Sequence, residues 1–190
     1  MTFFKKYSYI IIKLFLNQFA ISLFGIGLAF ACSYAANDKL LLITSIFSVV
    51  FYLFLQYAIM WEVGAKDGIT ATSRKTSRGL WRGFVLGICA NAINIVASLM
   101  IFSKVLTGAE NQVSAIGQFI AMVVQGMYQG ILSLRVGANQ LNDFWWVYFL
   151  IMIPAILVSG LAYIIGNYGW HATNILIPKN KDVKNNERSK

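Results

Sequence analysis

The sequence predicts an all-α, polytopic membrane protein, and three observations carry that expectation. Apolar residues come in five blocks, residues 14–36, 40–61, 80–102, 113–134 and 144–166, each about 22 residues long. A helix rising about 1.5 Å per residue needs roughly 20 residues to cross about 30 Å of hydrocarbon, so each block is long enough to span. Only 12% of the 190 residues are charged against 58% hydrophobic, which is about half the charge of an ordinary soluble domain. No alternating ten-residue pattern marks a transmembrane strand, so helices remain as the way for a segment in lipid to satisfy its own N–H and C=O groups. A single integral membrane domain over residues 1–178 and a basic cytosolic tail over 179–190 are expected.

The first block follows Lys5, Lys6 and Lys13 and ends in LAFACSYAA, which imitates a signal peptide with cleavage at Cys32. Phe30 is bulky where such a site wants a small residue, so an uncleaved first span is expected. The second block closes on Trp61 and leads into the wet segment 61–83, WEVGAKDGITATSRKTSRGLWRG. There Glu62 and Lys66 stand at i, i+4 and can pair, Gly68 offers a helix stop, and Thr76 or Ser77 can cap the third helix. In the fourth block Ser114, Gln118, Gln125, Gln129 and Ser133 fall along one helical face, opposite Phe119, Met122, Val123 and Met127. Such a helix could lie at the interface, re-enter, or cross with its glutamines facing protein. Trp61, Trp81, Trp145 and Trp146, with Tyr168 and Trp170, form the aromatic belt expected where rings meet headgroups.

Counting Lys and Arg on each side sets the orientation. With five crossings and the N-terminus inside, nine of the sixteen lie inside and seven outside, which is almost no bias. If the fourth block does not cross, the tail PKNKDVKNNERSK moves inside and the count becomes thirteen against three. Four spans plus one amphipathic re-entrant or interfacial helix is therefore the expected arrangement, with five spans as the alternative. The chain is expected in the plasma membrane as a multi-pass protein with both termini cytosolic. This distribution also accounts for the net charge of +9, and no recognition motif points to nucleic acid.

Each block carries a stripe of small or polar residues: Gln18, Ser22, Gly25, Ala29 and Cys32; Ser45, Ser48, Tyr52 and Gln56; Gly83, Gly87, Asn91, Asn94 and Ser98; Ala155, Ser159, Ala162 and Gly166. One reading is helix packing through small residues and interhelical hydrogen bonds. The other is an uncharged polar cavity bounded by Tyr52, Gln56, Asn91, Asn94, Gln118, Gln125 and Gln129, suited to a neutral polar solute or water. Ionisable groups do not favour proton relay, since all seven acids fall at block ends or in loops. The sole histidine, His171, lies past the last block, so no metal site or Ser-His or Cys-His pair is expected inside the membrane. Cys32 and Cys89 fall near opposite ends of their spans, too far apart for a bridge. No phosphate-cradling loop occurs and no cofactor is expected. An enzyme remains conceivable only at the cytosolic face, with Glu62 and Asp67 acting on a lipid headgroup.

Tyr57, Trp61, Glu62, Gly64, Lys66 and Asp67, followed by a basic stretch and Arg82-Gly83, resemble a pattern in small uncharacterised multi-span membrane proteins of Gram-positive bacteria. The resemblance implies a bacterial plasma-membrane protein and carries no activity, cofactor or catalytic residue. Glu62, Lys66, Asp67, Arg74, Lys75, Arg78 and Arg82 are expected to form a surface for a protein partner or anionic headgroups. The functional expectation is a non-enzymatic transport-type component with an uncharged polar cavity and a cytosolic docking loop. The alternative is a structural or accessory protein that stabilises or regulates a membrane complex without binding a small ligand.

Overall fold

The computed structural model describes residues 3–35 and 38–169, and in them the chain is helical with one two-residue hairpin. The expected tail, Trp170 and His171 lie outside the described residues. The long helices are α1 (Phe3–Tyr34) and α2 (Asp38–Ser73). Two broken pairs follow, α3 (Arg82–Ala90) with α4 (Ala92–Thr107), and α5 (Gln112–Val124) with the short α6 (Gln129–Leu132). Strands β1 (Arg135–Val136) and β2 (Asn139–Gln140) pair antiparallel, and α7 (Val147–Leu150) leads into α8 (Ile153–Asn167). Three helical segments, Phe3–Tyr34, Lys39–Ser73 and Val147–Asn167, are long and apolar enough to cross a membrane, or up to five if each bent pair counts as one span.

The polarity of the bundle is inverted relative to a soluble protein. Large apolar side chains such as Phe24, Phe47, Phe54, Phe119 and Leu157 stand exposed on its outside. Gln18, Gln56, Asn91, Asn94 and Gln125 are buried inside it. Burying polar groups while exposing apolar ones is unfavourable in water and favourable where hydrocarbon is the solvent. The four stripes of small and polar residues form the inward faces, as at Ser22 on α1, Ser48 on α2, Ser98 on α4 and Ser159 on α8.

Helices α1 and α2 run antiparallel, with Lys6 against Asp67 at one end and Cys32 3.6 Å from Thr44 at the other. Helices α2 and α8 run parallel. Gly64 lies on the backbone of Tyr163 and Gly68 on that of Asn167, while Gly166 sits against Trp61 and Ala65. A Cβ on Gly64 or Gly166 would collide with a facing carbonyl oxygen, so glycine here sets the distance between the helices. Gly68 is therefore a packing residue and not the expected helix stop. Helix α2 continues to Ser73, where Thr76 N–H reaches back 3.0 Å to Ala71 O and Lys75 takes a positive φ of 50°. That six-to-one closure is a Schellman ending, which leaves Gly68 free to serve the α8 contact. The expected caps also fail: α3 has Trp81 at its N-cap position with no side-chain cap, so neither Thr76 nor Ser77 serves.

The apolar blocks contain breaks that their hydropathy hides. Helix α3 meets α4 at a 58° bend, and α5 meets the segment 126–132 at 83°. Between α7 and α8 the interruption has a covalent cause: Pro154, in the first turn of α8, has no N–H to continue the ladder. The single amphipathic face expected over Ser114, Gln118, Gln125, Gln129 and Ser133 does not form, because the helix ends at Val124. Helix α5 instead buries Ser114, Gly117, Ala121 and Val124, and Met127, expected on the apolar face, is fully buried.

After the break the chain returns toward the end from which it came. Gly130 packs on Leu41 and Ser45 near the start of α2, and Lys104 at the end of α4 donates to Asp143 O at 3.1 Å. Phe102 also meets Trp145, with ring centroids 4.7 Å apart. We call this the hairpin end, and the end carrying Phe3, Ser73 and Arg82 the loop end.

The glycine contacts yield the first prediction. Gly166→Leu should cost at least about 1–3 kcal/mol by overpacking the α2–α8 seam. Gly27→Ala, which meets no atom within 4 Å, should lose no stability. Thermal unfolding of the purified protein in detergent checks both, and equal tolerance would show that the seam is not glycine-limited.

Candidate functional site

Three helix interruptions meet at one place. Asn91 at the α3–α4 bend, Gln125 at the end of α5, and Ile151 with Met152 between α7 and α8 all line the same internal point, together with Gln18, Tyr52, Asn94 and Tyr128. Gln18 is at the middle of α1 and Tyr52 near the middle of α2, so the point is central along the bundle.

Two of the three breaks carry side-chain hydrogen bonds to the backbone around them. At Asn91 the backbone N–H lies 3.1 Å from both Gly87 O and Ile88 O. Its side-chain Nδ2 donates to Gly87 O at 2.9 Å, while its Oδ1 accepts from Asn94 Nδ2 at 2.8 Å. Asparagine competes for backbone partners in this way, which is why it bends a helix. At the second break α1 supplies the partners: Ser22 Oγ accepts from Gly126 N–H at 2.6 Å and donates to Val123 O at 2.7 Å. Gln18 Nε2 adds a longer bond of 3.4 Å to Val124 O. Helix α2 repeats the device, with Ser45 Oγ donating to Met127 O at 2.6 Å and accepting from Gly130 N–H at 3.2 Å. A hydroxyl can donate and accept together, so one serine closes both sides of a turn.

The amide side chains gathered there are incompletely satisfied. Among the described residues neither Gln125 Oε1 nor Gln125 Nε2 has a hydrogen-bond partner, and Gln125 is only 1% exposed. Asn94 Oδ1 and the Tyr128 hydroxyl are likewise buried without one. The space between these groups is closed, with a cavity volume of about 0 Å³.

Of the seven residues expected to bound a cavity, Tyr52, Asn91, Asn94 and Gln125 meet here. Gln56 lies beside them but is bound across the α2–α8 seam, its Nε2 donating to Ser159 Oγ at 2.6 Å. Gln118 is half-buried on α5, and Gln129 lies in a separate shallow pocket with Ile26 and Phe30. Gln18 and Tyr128 belong to the cluster although sequence reasoning did not place them there. Gln18 was visible in the α1 stripe; Tyr128 carried no signal, because its position depends on the break at Gln125.

The residues of the loop segment divide into two groups. Asp67 faces inward, its side chain 11% exposed: Oδ1 accepts from Lys6 Nζ at 2.7 Å, and Oδ2 accepts from Tyr7 at 2.5 Å and Tyr163 at 2.8 Å. Arg82 Nη1 stands 3.5 Å from the same Tyr7 hydroxyl, so α1, α2, α3 and α8 are tied together at the loop end. Asp67, expected on an outward docking surface, thus points into a clasp between helices, and Arg82 is half-buried beside it. Glu62 and Lys66 form the expected exposed pair at 2.6 Å. Arg74, Lys75 and Arg78 are exposed, with Arg78 5.0 Å over the Tyr168 ring.

Among the described residues no group of three His, Cys, Asp or Glu side chains could hold a metal ion, and both cysteines are free. Comparisons with protein-family models, with curated proteins and with solved structures find no match to this chain.

The orphaned amide yields the second prediction. Gln125→Leu should leave the thermal midpoint in detergent unchanged or raise it, because an apolar group removes an unsatisfied polar one. Ser22→Ala should lower stability by about 1–3 kcal/mol by stranding Gly126 N–H. A large loss in Gln125→Leu would show that the amide is a packing element.

Proposed function

We propose that the chain is a non-enzymatic, transport-type component of a bacterial plasma membrane, with four spans and a re-entrant fourth segment, handling a small uncharged polar solute at the amide cluster. One observation carries this reading: three helix interruptions converge on uncharged polar side chains at the centre of the bundle, and two of those amides keep hydrogen-bonding capacity that the protein does not use. Interrupted helices meeting at mid-depth are how helical transporters build solute sites without charged residues in lipid. With a closed centre, solute passage requires the 126–132 turn to move, and that turn is held largely by hydroxyl hydrogen bonds to α1 and α2.

The parallel course of α2 and α8 supports the span count. A chain leaving α2 at the loop end must reach the hairpin end before α8 begins, and α3–α4 makes that crossing. A second crossing by the fourth segment would deliver α8 from the wrong side. Orientation follows from charge: Lys5, Lys6, Lys13, Lys66, Arg74, Lys75, Arg78 and Arg82 lie at the loop end, against Lys39, Lys104 and Arg135 at the other. The loop end is thus read as cytosolic. Exposed Lys66, Arg74, Lys75 and Arg78 are read as its surface for a protein partner or anionic headgroups.

The second reading is a structural or accessory membrane protein that binds no small ligand. The closed centre and the four-helix clasp at Asp67 favour it.

Topology has a direct test. In a background without Cys32 and Cys89, cysteines introduced by Glu110→Cys and Arg135→Cys should react with a membrane-impermeant thiol reagent from the same side, and Arg74→Cys from the opposite side. Residues 110 and 135 on different sides would sink the four-span reading. For function, proteoliposomes should admit glycerol or urea faster than protein-free vesicles, and Gln125→Leu should abolish the difference. Equal rates for wild type and protein-free vesicles would favour the accessory reading.

A further inference from the structure

At the loop end, α1 and α2 bound a groove of about 590 Å³ whose rim is basic and whose floor is apolar. Two helical stripes form it. On α2 Glu62, Lys66 and Thr70 follow one another at i, i+4 spacing, with Arg74 continuing the row just past the helix end, and on α1 Lys6, Ile10 and Lys13 share a face at i, i+4, i+7. The two carboxylates in the groove are already occupied, Asp67 by Lys6 at 2.7 Å and Glu62 by Lys66 at 2.6 Å. Lys13 and Arg74 have no ion-pair partner within 4.0 Å among the described residues, so the groove keeps a surplus of two positive charges. Beneath them Ile10 and Ile59 provide the apolar floor, and Ile59 lies just before the interface anchor Trp61.

We propose that this groove holds an anionic phospholipid, its phosphate drawn to Lys13, Lys66 and Arg74 and the first part of an acyl chain laid against Ile10 and Ile59. The basic rim alone would suit any anion. The apolar floor, continuous with a membrane-spanning face, selects an amphiphile over a soluble phosphate or a folded acidic partner. Lys13 lies two turns further along α1 than Lys6, and its long apolar stem lets the ammonium reach back toward headgroup level. The site rests on reading the loop end as lying at headgroup level, and does not depend on what the amide cluster binds.

The full chain purified in detergent should retain phosphatidylglycerol over phosphatidylcholine when both are titrated and bound lipid is read by native mass spectrometry. Lys13→Gln and Arg74→Gln, both at exposed positions, should each weaken phosphatidylglycerol binding about fivefold. Lys5→Gln, exposed on α1 at the same end but outside the groove, and Lys39→Gln, at the far end, should leave it unchanged. Equal losses in all four variants would reduce the effect to net charge and overturn the site. So would equal retention of phosphatidylcholine, or displacement of phosphatidylglycerol by inorganic phosphate. None of these results bears on topology, which the labelling at residues 110 and 135 reads separately.

Discussion

Ser22 and Ser45 carry the turn on which the arrangement depends. A backbone that leaves helical geometry inside an apolar surround has no water to take its freed N–H and C=O groups, and each unmet group costs several kcal/mol. Around residues 123–130 the chain frees several such groups, and the two serines meet four of them, one pair from α1 and one from α2. The segment turns there by 83°, and beyond the turn Gly130 packs on Leu41 and Ser45 near the start of α2.

That turn and the parallel packing of α2 and α8 support each other. Glycines bring the two backbones together along Gly64, Gly68 and Gly166, which fixes α8 in register with the loop-end half of α2. The register places Ser159 against Gln56 and Tyr163 against Asp67, so the seam and the clasp are consequences of one close approach. At the hairpin end, among the described residues, Lys104 stands 4.0 Å from Glu110 and donates to Asp143 O, and aromatic contacts complete the packing of the segment after residue 132.

The stripes of small and polar residues were legible in the sequence because they follow from helical period alone: Gln18, Ser22, Tyr52, Gln56, Asn91, Asn94 and Ser159 are all buried. The Glu62–Lys66 pair was legible for the same reason, since its partners are one turn apart. What failed was extrapolating a period through a break. Gln118 and Gln129 share a face with Gln125 only if one helix runs through residues 113–134, and it ends at Val124. Gly68 looked like a stop because glycine is a weak helix former, yet its missing side chain makes room for the α8 backbone at Asn167, 99 residues further along the chain. Asp67 looked like a loop charge because its three partners, Lys6, Tyr7 and Tyr163, come from distant parts of the chain.

By itself the sequence determined that the chain is helical and apolar enough for a membrane, and which face of each helix turns inward. These are local properties, set by hydropathy and by the 3.6-residue period. Only the tertiary structure decided where the helices break, that the breaks meet at one centre, and which charges close the loop end. Those outcomes depend on partners such as Ser22 for Gly126 and Tyr163 for Asp67, which lie 104 and 96 residues apart in the chain and are joined only by packing.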